Sequence, residues 1–307
     1  MGKPKINPYF VLALGVIAVS TSAIFVKVST APSGVIAFYR LFFSVLLMLP
    51  IFISKYRAEL KLITKRDWGL SAVSGIFLAF HFILWFESLN YTSVASSTVL
   101  VTLQPIFAFV GTYFFFKERL SLKAIFSGLI AVVGSIIISW GDFKISGSAL
   151  FGDILALAAC AFITFYLLFG QSVRKRVSII TYTFIVYVIS TLALFLYIMA
   201  TGEPLYPYPK SDWLYFLLLA IIPTLLGHTL LNWVVKWVST SMISVAILFE
   251  PVGATLLAYY VVGETVNLSQ GIGGMVVLLG IGLFIYDERK GRGTVKLLKT
   301  KPNLESR

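Results

Sequence analysis

Charge is the first thing this sequence is short of. Asp, Glu, Lys and Arg supply 12% of its 307 residues, against 58% hydrophobic, where a soluble domain usually carries about 25% charged residues. That balance excludes an ordinary soluble domain. Cys160 is the only cysteine, so no disulfide can form within the chain. Histidine is limited to His81 and His228, and nothing at suitable spacing supplies the remaining ligands of a zinc site. No GxxxxGKS/T loop is present, which disfavours direct ATP drive by this chain, and neither HExxH nor GxSxG occurs. No cofactor or metal is implied. Long polar stretches are missing too: the longest, 54–67, 201–211 and 287–307, leave little room for a soluble domain.

Apolar runs fill the chain instead, each near the roughly 20 residues that span a bilayer core. Ten are read: 9–29, 33–53, 68–88, 93–116, 121–140, 150–170, 179–200, 212–234, 239–262 and 267–286. They are continuous rather than alternating, and backbone in lipid must satisfy its own hydrogen bonds, so each is expected to be a helix. The expected fold class is an all-α membrane protein. The first run is long, and no mature soluble domain follows its Ser20–Thr21–Ser22, so it is read as a retained span rather than a cleavable signal.

A net charge of +12 could suggest a nucleic-acid partner, but its placement argues for a lipid bilayer. With the N-terminus inside, 21 of the 25 Lys and Arg fall in cytoplasmic segments. Lys144 and Lys210 fall in outside loops, and Lys27 and Arg40 within helices. This is the positive-inside asymmetry, so both termini are expected in the cytoplasm. The basic tail is then expected to meet anionic lipid.

The chain also repeats itself. Residues 102–118, TLQPIFAFVGTYFFFKE, align with 248–264, LFEPVGATLLAYYVVGE, at an offset of 146. Pro105 falls on Pro251, Ala108 on Ala254, Tyr113 on Tyr259 and Glu118 on Glu264. Gly128 then meets Gly274 and Gly134 meets Gly280, and one residue of slippage brings His81 onto His228. The repeated unit holds five spans. An odd number makes the second copy enter from the opposite side, an inverted repeat of the kind found in secondary transporters. The units are read as 1–140 and 141–286, with 287–307 a basic cytoplasmic tail.

Both units resemble the EamA module of the drug/metabolite transporter superfamily. The likeness rests on the two proline-to-glutamate segments above, and on AFYRLFFS at 37–44, SVASSTVLV at 93–101 and LLGHTLLNW at 225–233. It implies ten helices as two inverted five-helix repeats, and a carrier of small molecules. Similar proteins include inner-membrane exporters of amino acids and other metabolites, and carriers of nucleotide sugars and phosphorylated sugars, so the resemblance does not name the substrate.

Ionisable residues inside spans cost about 2.5–3.5 kcal/mol at a helix centre and usually face a cavity or a partner. Glu250 is the deepest carboxylate. It is a candidate for proton coupling, for a substrate amine, or for bonding backbone carbonyls freed by Pro251. Its counterpart Gln104 keeps hydrogen-bonding capacity without charge. Pro105 and Pro251 are candidate hinges or static bends. His81 and His228 are followed four residues later by Trp85 and Asn232, which share their helix faces. Each pair could line a pore or pack between helices. Arg40 could snorkel, pair with Glu250 or meet an anionic substrate group. Glu118 and Glu264 are read as span-ending residues. The glycines of the fifth and tenth spans are read as packing positions, with a homodimer contact as the weaker alternative.

These features point to a secondary transporter and to an exporter before an importer. Its substrates would be small amphipathic, amino-acid-like metabolites or drugs, moved by alternating access with or without protons. The candidate cavity residues are His81, Trp85, Gln104, His228, Asn232 and Glu250. An organic-anion or sugar-phosphate exchanger is the alternative, although it would want more buried cations. An intramembrane enzyme is weaker, because symmetric duplication of the histidines suits a carrier. The expected setting is the bacterial plasma membrane, with the chain a monomer or a homodimer.

Overall fold

The computed structural model describes residues 6–92, 94–117, 120–140, 147–262 and 268–300. Glu118 and Glu264 lie outside these residues, as does Lys144. The described residues are helical throughout, joined by short turns, with no strand among them. The helices form ten spans. α1 is Pro8–Val28, interrupted at Thr21. α2 is Ser33–Ile51 and continues through a π turn, Phe52–Tyr56, and a 3-10 stretch, Arg57–Leu62. α3 is Lys65–Ser88, α4 comprises Val94–Val101 and Gln104–Phe116, and α5 is Leu122–Ser139. In the second half α6 is Gly147–Val173, α7 is Ile179–Thr201 and α8 is Lys210–Val234, with a π segment at Ala220–His228. α9 comprises Thr240–Ile247 and Glu250–Leu257, followed by a π turn at Ala258–Val262, and α10 is Leu268–Thr300.

Short polar residues start several of these helices. Thr64, Ser121, Ser178 and Ser239 each cap one, their side chains accepting from the amides of Asp67, Ala124, Thr181 and Met242. Among the described residues, nine stretches are long and apolar enough to cross a bilayer, and α5 adds a shorter apolar one, Leu122–Ile138. Large apolar side chains face outward along them, Phe10, Phe126, Leu196 and Leu279 among them. In water such a surface would be unfavourable; in lipid it is the expected one. α10 outruns its apolar stretch. It continues through the basic tail to Thr300, because helix propagation needs backbone bonds rather than hydrophobicity.

The packing repeats with a shift of five spans. α3 packs on α6 as α8 packs on α1, α3 on α7 as α8 on α2, and α4 on α6 as α9 on α1. α2 faces α7, α4 faces α9, and α5 faces α10. Adding or subtracting five maps this set onto itself. The two halves therefore interlock about a pseudo-two-fold axis, and five spans per half make them inverted repeats.

The α5–α10 contact uses the repeated glycines. A Cβ on Gly134 would sit 2.6 Å from the Val277 amide nitrogen, one on Gly273 2.7 Å from the Gly134 carbonyl oxygen, and one on Gly280 2.5 Å from the Ala131 amide nitrogen. Small residues let the backbones touch, as membrane helices need when water cannot drive them together. These glycines are spent within the chain.

The helix breaks lie just before the prolines. α4 breaks at Thr102–Leu103 and α9 at Leu248–Phe249, the same offset of 146. Pro105 and Pro251 are not at these kinks. Each is the second residue of the segment that follows, Gln104–Phe116 or Glu250–Leu257. In a first helical turn the missing proline N–H has no intrahelical partner to lose, so the ring starts the new segment rather than bending an old one.

Candidate functional site: a cavity between the repeats

Because the breaks are matched, Gln104 and Glu250 each open a half-helix. A carboxylate in the first turn of a helix is favoured by the helix dipole, which helps α9 tolerate Glu250 within a span. Both residues line one buried cavity, together with Val101 and Ile247, another pair at an offset of 146. His81 and His228 line it too, as do Val19, Ser22, Arg40, Trp85, Ile163, Leu167 and Leu231. A cavity bounded by matched pairs lies at the axis relating the repeats. It holds about 30 Å³, room for about one water. This conformation is closed around its centre, since a small-molecule site takes roughly 300–1,000 Å³.

Arg40 is fully buried. It does not snorkel: Nε donates to Thr224 Oγ1 at 2.6 Å, Nη1 donates to Ser22 Oγ at 2.9 Å, and the guanidinium carbon lies 4.2 Å from the centre of the Phe82 ring. The π segment of α8 makes this possible. It includes Pro223, and Thr224 Oγ1 bonds back five residues to the Leu219 carbonyl at 2.8 Å while accepting from Arg40. Arg40 Nη2 has no hydrogen-bond partner among the described residues. The expected contact with Glu250 is absent. Among the described residues the ion pair is Arg176–Asp67, so Arg40 and Glu250 are more than 4 Å apart and act on each other across the cavity. Ser22 and Thr224 already occupy two of the guanidinium nitrogens.

The histidines are matched in place but not in bonding. His81 Nδ1 lies 3.0 Å from the Ala159 carbonyl oxygen. A carbonyl only accepts, so Nδ1 carries the hydrogen. Trp85 stacks on the His81 ring at 5.7 Å. His228 packs edge-on against Phe82 and Tyr166. Trp85 Nε1 and Gln104 Oε1 are buried without partners, like Arg40 Nη2. Three polar groups without partners among the described residues thus lie on one small cavity.

Asn232 is the exception among the six candidate lining residues. It is fully buried and does not line the cavity: Nδ2 donates to Tyr166 Oη, and its backbone carbonyl accepts from Arg174 Nε at 3.1 Å. Residues Thr229–Val234 are α-helical, so Asn232 keeps its α-spacing from His228; the bond to Tyr166, from another span, is what takes up its amide. Tyr166 is drawn into that bond and is not among the residues lining this cavity. Ser22 and Thr224 were not expected. Hydroxyls at Ser20–Thr21–Ser22, and a threonine directly after Pro223, were the available signals.

The EamA-like transporter family model matches the chain twice, over residues 7–140 and 150–286. An uncharacterized transporter of Archaeoglobus fulgidus is 24% identical over 274 residues, covering 88% of this chain and 93% of its own. The uncharacterized transporter YxxF of Bacillus subtilis is 23% identical over 297 residues, covering 95% and 94%. A solved structure described only as a protein crystal structure superposes with a TM-score of 0.75 at 17% identity, over 92% of this chain and 98% of that one, and shares the fold.

Proposed function

Since the chain belongs to the EamA-like transporter family and is an integral multi-pass membrane protein, we propose that it is a secondary exporter of small amphipathic, amino-acid-like metabolites or drugs, working by alternating access. The observation that carries this is the cavity on the pseudo-two-fold axis, with Arg40 and Glu250 both facing it and not paired to each other. A fixed cation and a carboxylate across one small apolar chamber suit a molecule carrying both charges on a compact body. The carbon lining from Val19, Val101, Ile163, Leu167 and Ile247 suits its apolar part. A sugar phosphate would leave Glu250 facing an anion. Glu250 also serves as the group that takes a proton when substrate leaves. Both halves of the site come from one chain, so one chain is the transport unit, whether or not two associate. The setting would be the bacterial plasma membrane with both termini cytoplasmic, a reading that the placement of the basic segments supports.

Purified protein in liposomes tests the reading. Zwitterionic amino acids are expected to move and to compete with one another, and inorganic phosphate and sugar phosphates to do neither. Transport of phosphates with no amino-acid movement would contradict it.

A further inference from the structure

The two ends of the molecule are closed by contacts that match across the repeats. At the end bearing the N-terminus, Asp67 stands in the first turn of α3. Its carboxylate receives Arg176 from the α6–α7 turn: Nη2 at 2.6 Å and Nε at 3.1 Å to Oδ1, and Nε at 3.3 Å to Oδ2. At the other end, Asp212 stands in the first turn of α8 and receives Thr30 from the α1–α2 turn, the amide at 3.1 Å and the hydroxyl at 2.6 Å. Asp67 and Asp212 are offset by 145 residues, and Thr30 and Arg176 by 146. Both aspartates are buried. Each end is thus held by an aspartate of one repeat gripping a turn of the other.

A second carboxylate stands beside each aspartate. Glu59, just before α3, accepts from the Ser178 amide at 2.7 Å and from the hydroxyls of Ser178 and Thr181 at the start of α7. Glu203, just before α8, lies against the start of α2, where a Cβ on Gly34 would come within 2.6 Å of Oε2. Glu59 and Glu203 are offset by 144. The duplication has kept both carboxylates at each end and changed what the aspartate holds, an arginine at one end and a threonine at the other.

We infer that Asp67–Arg176 and Asp212–Thr30 are the two gate latches of the carrier, released one at a time as the cavity opens to one face and then the other. The inference rests on the alternating-access reading above. Opening toward either face requires the repeats to separate there, and these cross-repeat bonds span that separation. With both latched, the central cavity is closed, as it is here. The two are unequal: a forked arginine–carboxylate contact is stronger than bonds from a neutral amide and hydroxyl. The resting carrier therefore stays shut at the Asp67 end and opens first at the Asp212 end.

The test places a cysteine at the cavity, Leu231→Cys in a Cys160→Ala background. A membrane-impermeant charged methanethiosulfonate is applied from each face of sealed vesicles. Asp67→Ala is expected to raise labelling from the Asp67 face by about tenfold relative to the opposite face, and Asp212→Ala to shift the ratio the other way. A purely structural role would lower thermal stability without a sided change in labelling. If the alanine variants fail to reach the membrane, Thr30→Cys with Asp212→Cys, cross-linked before labelling at 231, should confine reaction to the Asp67 face. A parent background that labels from both faces, with no sided shift in either variant or the cross-link, overturns the latches alone. Labelling from at most one face in every variant overturns alternating access itself.

Discussion

Gln104 and Glu250 are the first residues of the half-helices that follow matched breaks in α4 and α9, and both line the cavity between the repeats. One carries charge and the other does not. The two halves share the breaks and the prolines, and they differ in the group placed at the centre.

Glu250→Gln would make the two positions chemically alike. The variant is expected to fold with a thermal midpoint near the parent's, because the carboxylate makes no ion pair among the described residues. Proton-dependent transport should be lost, leaving at most flux insensitive to a pH gradient. Transport in liposomes at matched and opposed pH checks this, and an unchanged pH response would refute the coupling role.

Arg40 is held by Thr224 and Ser22 over the Phe82 ring. Arg40→Ala leaves two buried hydroxyls without their donor and opens a void, so a loss of about 2–4 kcal/mol is expected. Arg40→Lys keeps charge but not the fork. It should retain more stability and still weaken substrate binding. Thermal unfolding in detergent, paired with binding of a substrate found in the liposome screen, separates the two effects.

The glycines of α5 and α10 should divide into two sets. Gly134→Ala and Gly280→Ala force a Cβ onto the facing backbone at 2.6 and 2.5 Å and should cost about 1–3 kcal/mol. Gly271→Ala and Gly282→Ala meet nothing within 4 Å and should be neutral or stabilising. Thermal midpoints of the four variants decide it.

Glu203 lies in the α7–α8 loop, and burial raises its carboxyl above the ordinary value, with Glu87 adding to the shift. Tyr197 and Tyr208 also face it. The folded chain therefore holds this proton more tightly than the unfolded chain. Stability from this group is full below the unfolded pKa and is lost as pH rises through the raised folded value. Glu203→Gln should flatten that limb of a stability-versus-pH curve; an unaltered curve would exclude the residue as its source.

Much of this was legible in the sequence. Apolar length gave the spans, and an offset of 146 gave the inverted repeats, because duplication leaves prolines, glycines and histidines in register. Five of the six candidate residues lie on the one cavity. Asn232 is taken up by Tyr166, a partner from another span that spacing along one helix cannot show. The partners of Arg40 were hidden because Ser22 and Thr224 come from other spans, brought together only by packing. The latches had a visible signal, the Asp-Trp pair at 67–68 repeated at 212–213.

The central claim is that one cavity at the repeat axis is reached from both sides of the membrane. Leu231 lines it and Leu84, its counterpart at an offset of 147, does not. The direct measurement is therefore the labelling of Leu231→Cys by an impermeant thiol reagent in right-side-out and in inverted vesicles, in an otherwise wild-type, Cys160→Ala chain. Reaction from both faces, slowed by a transported substrate, is the predicted result. Reaction from neither face, or from one face only under every condition, would contradict it.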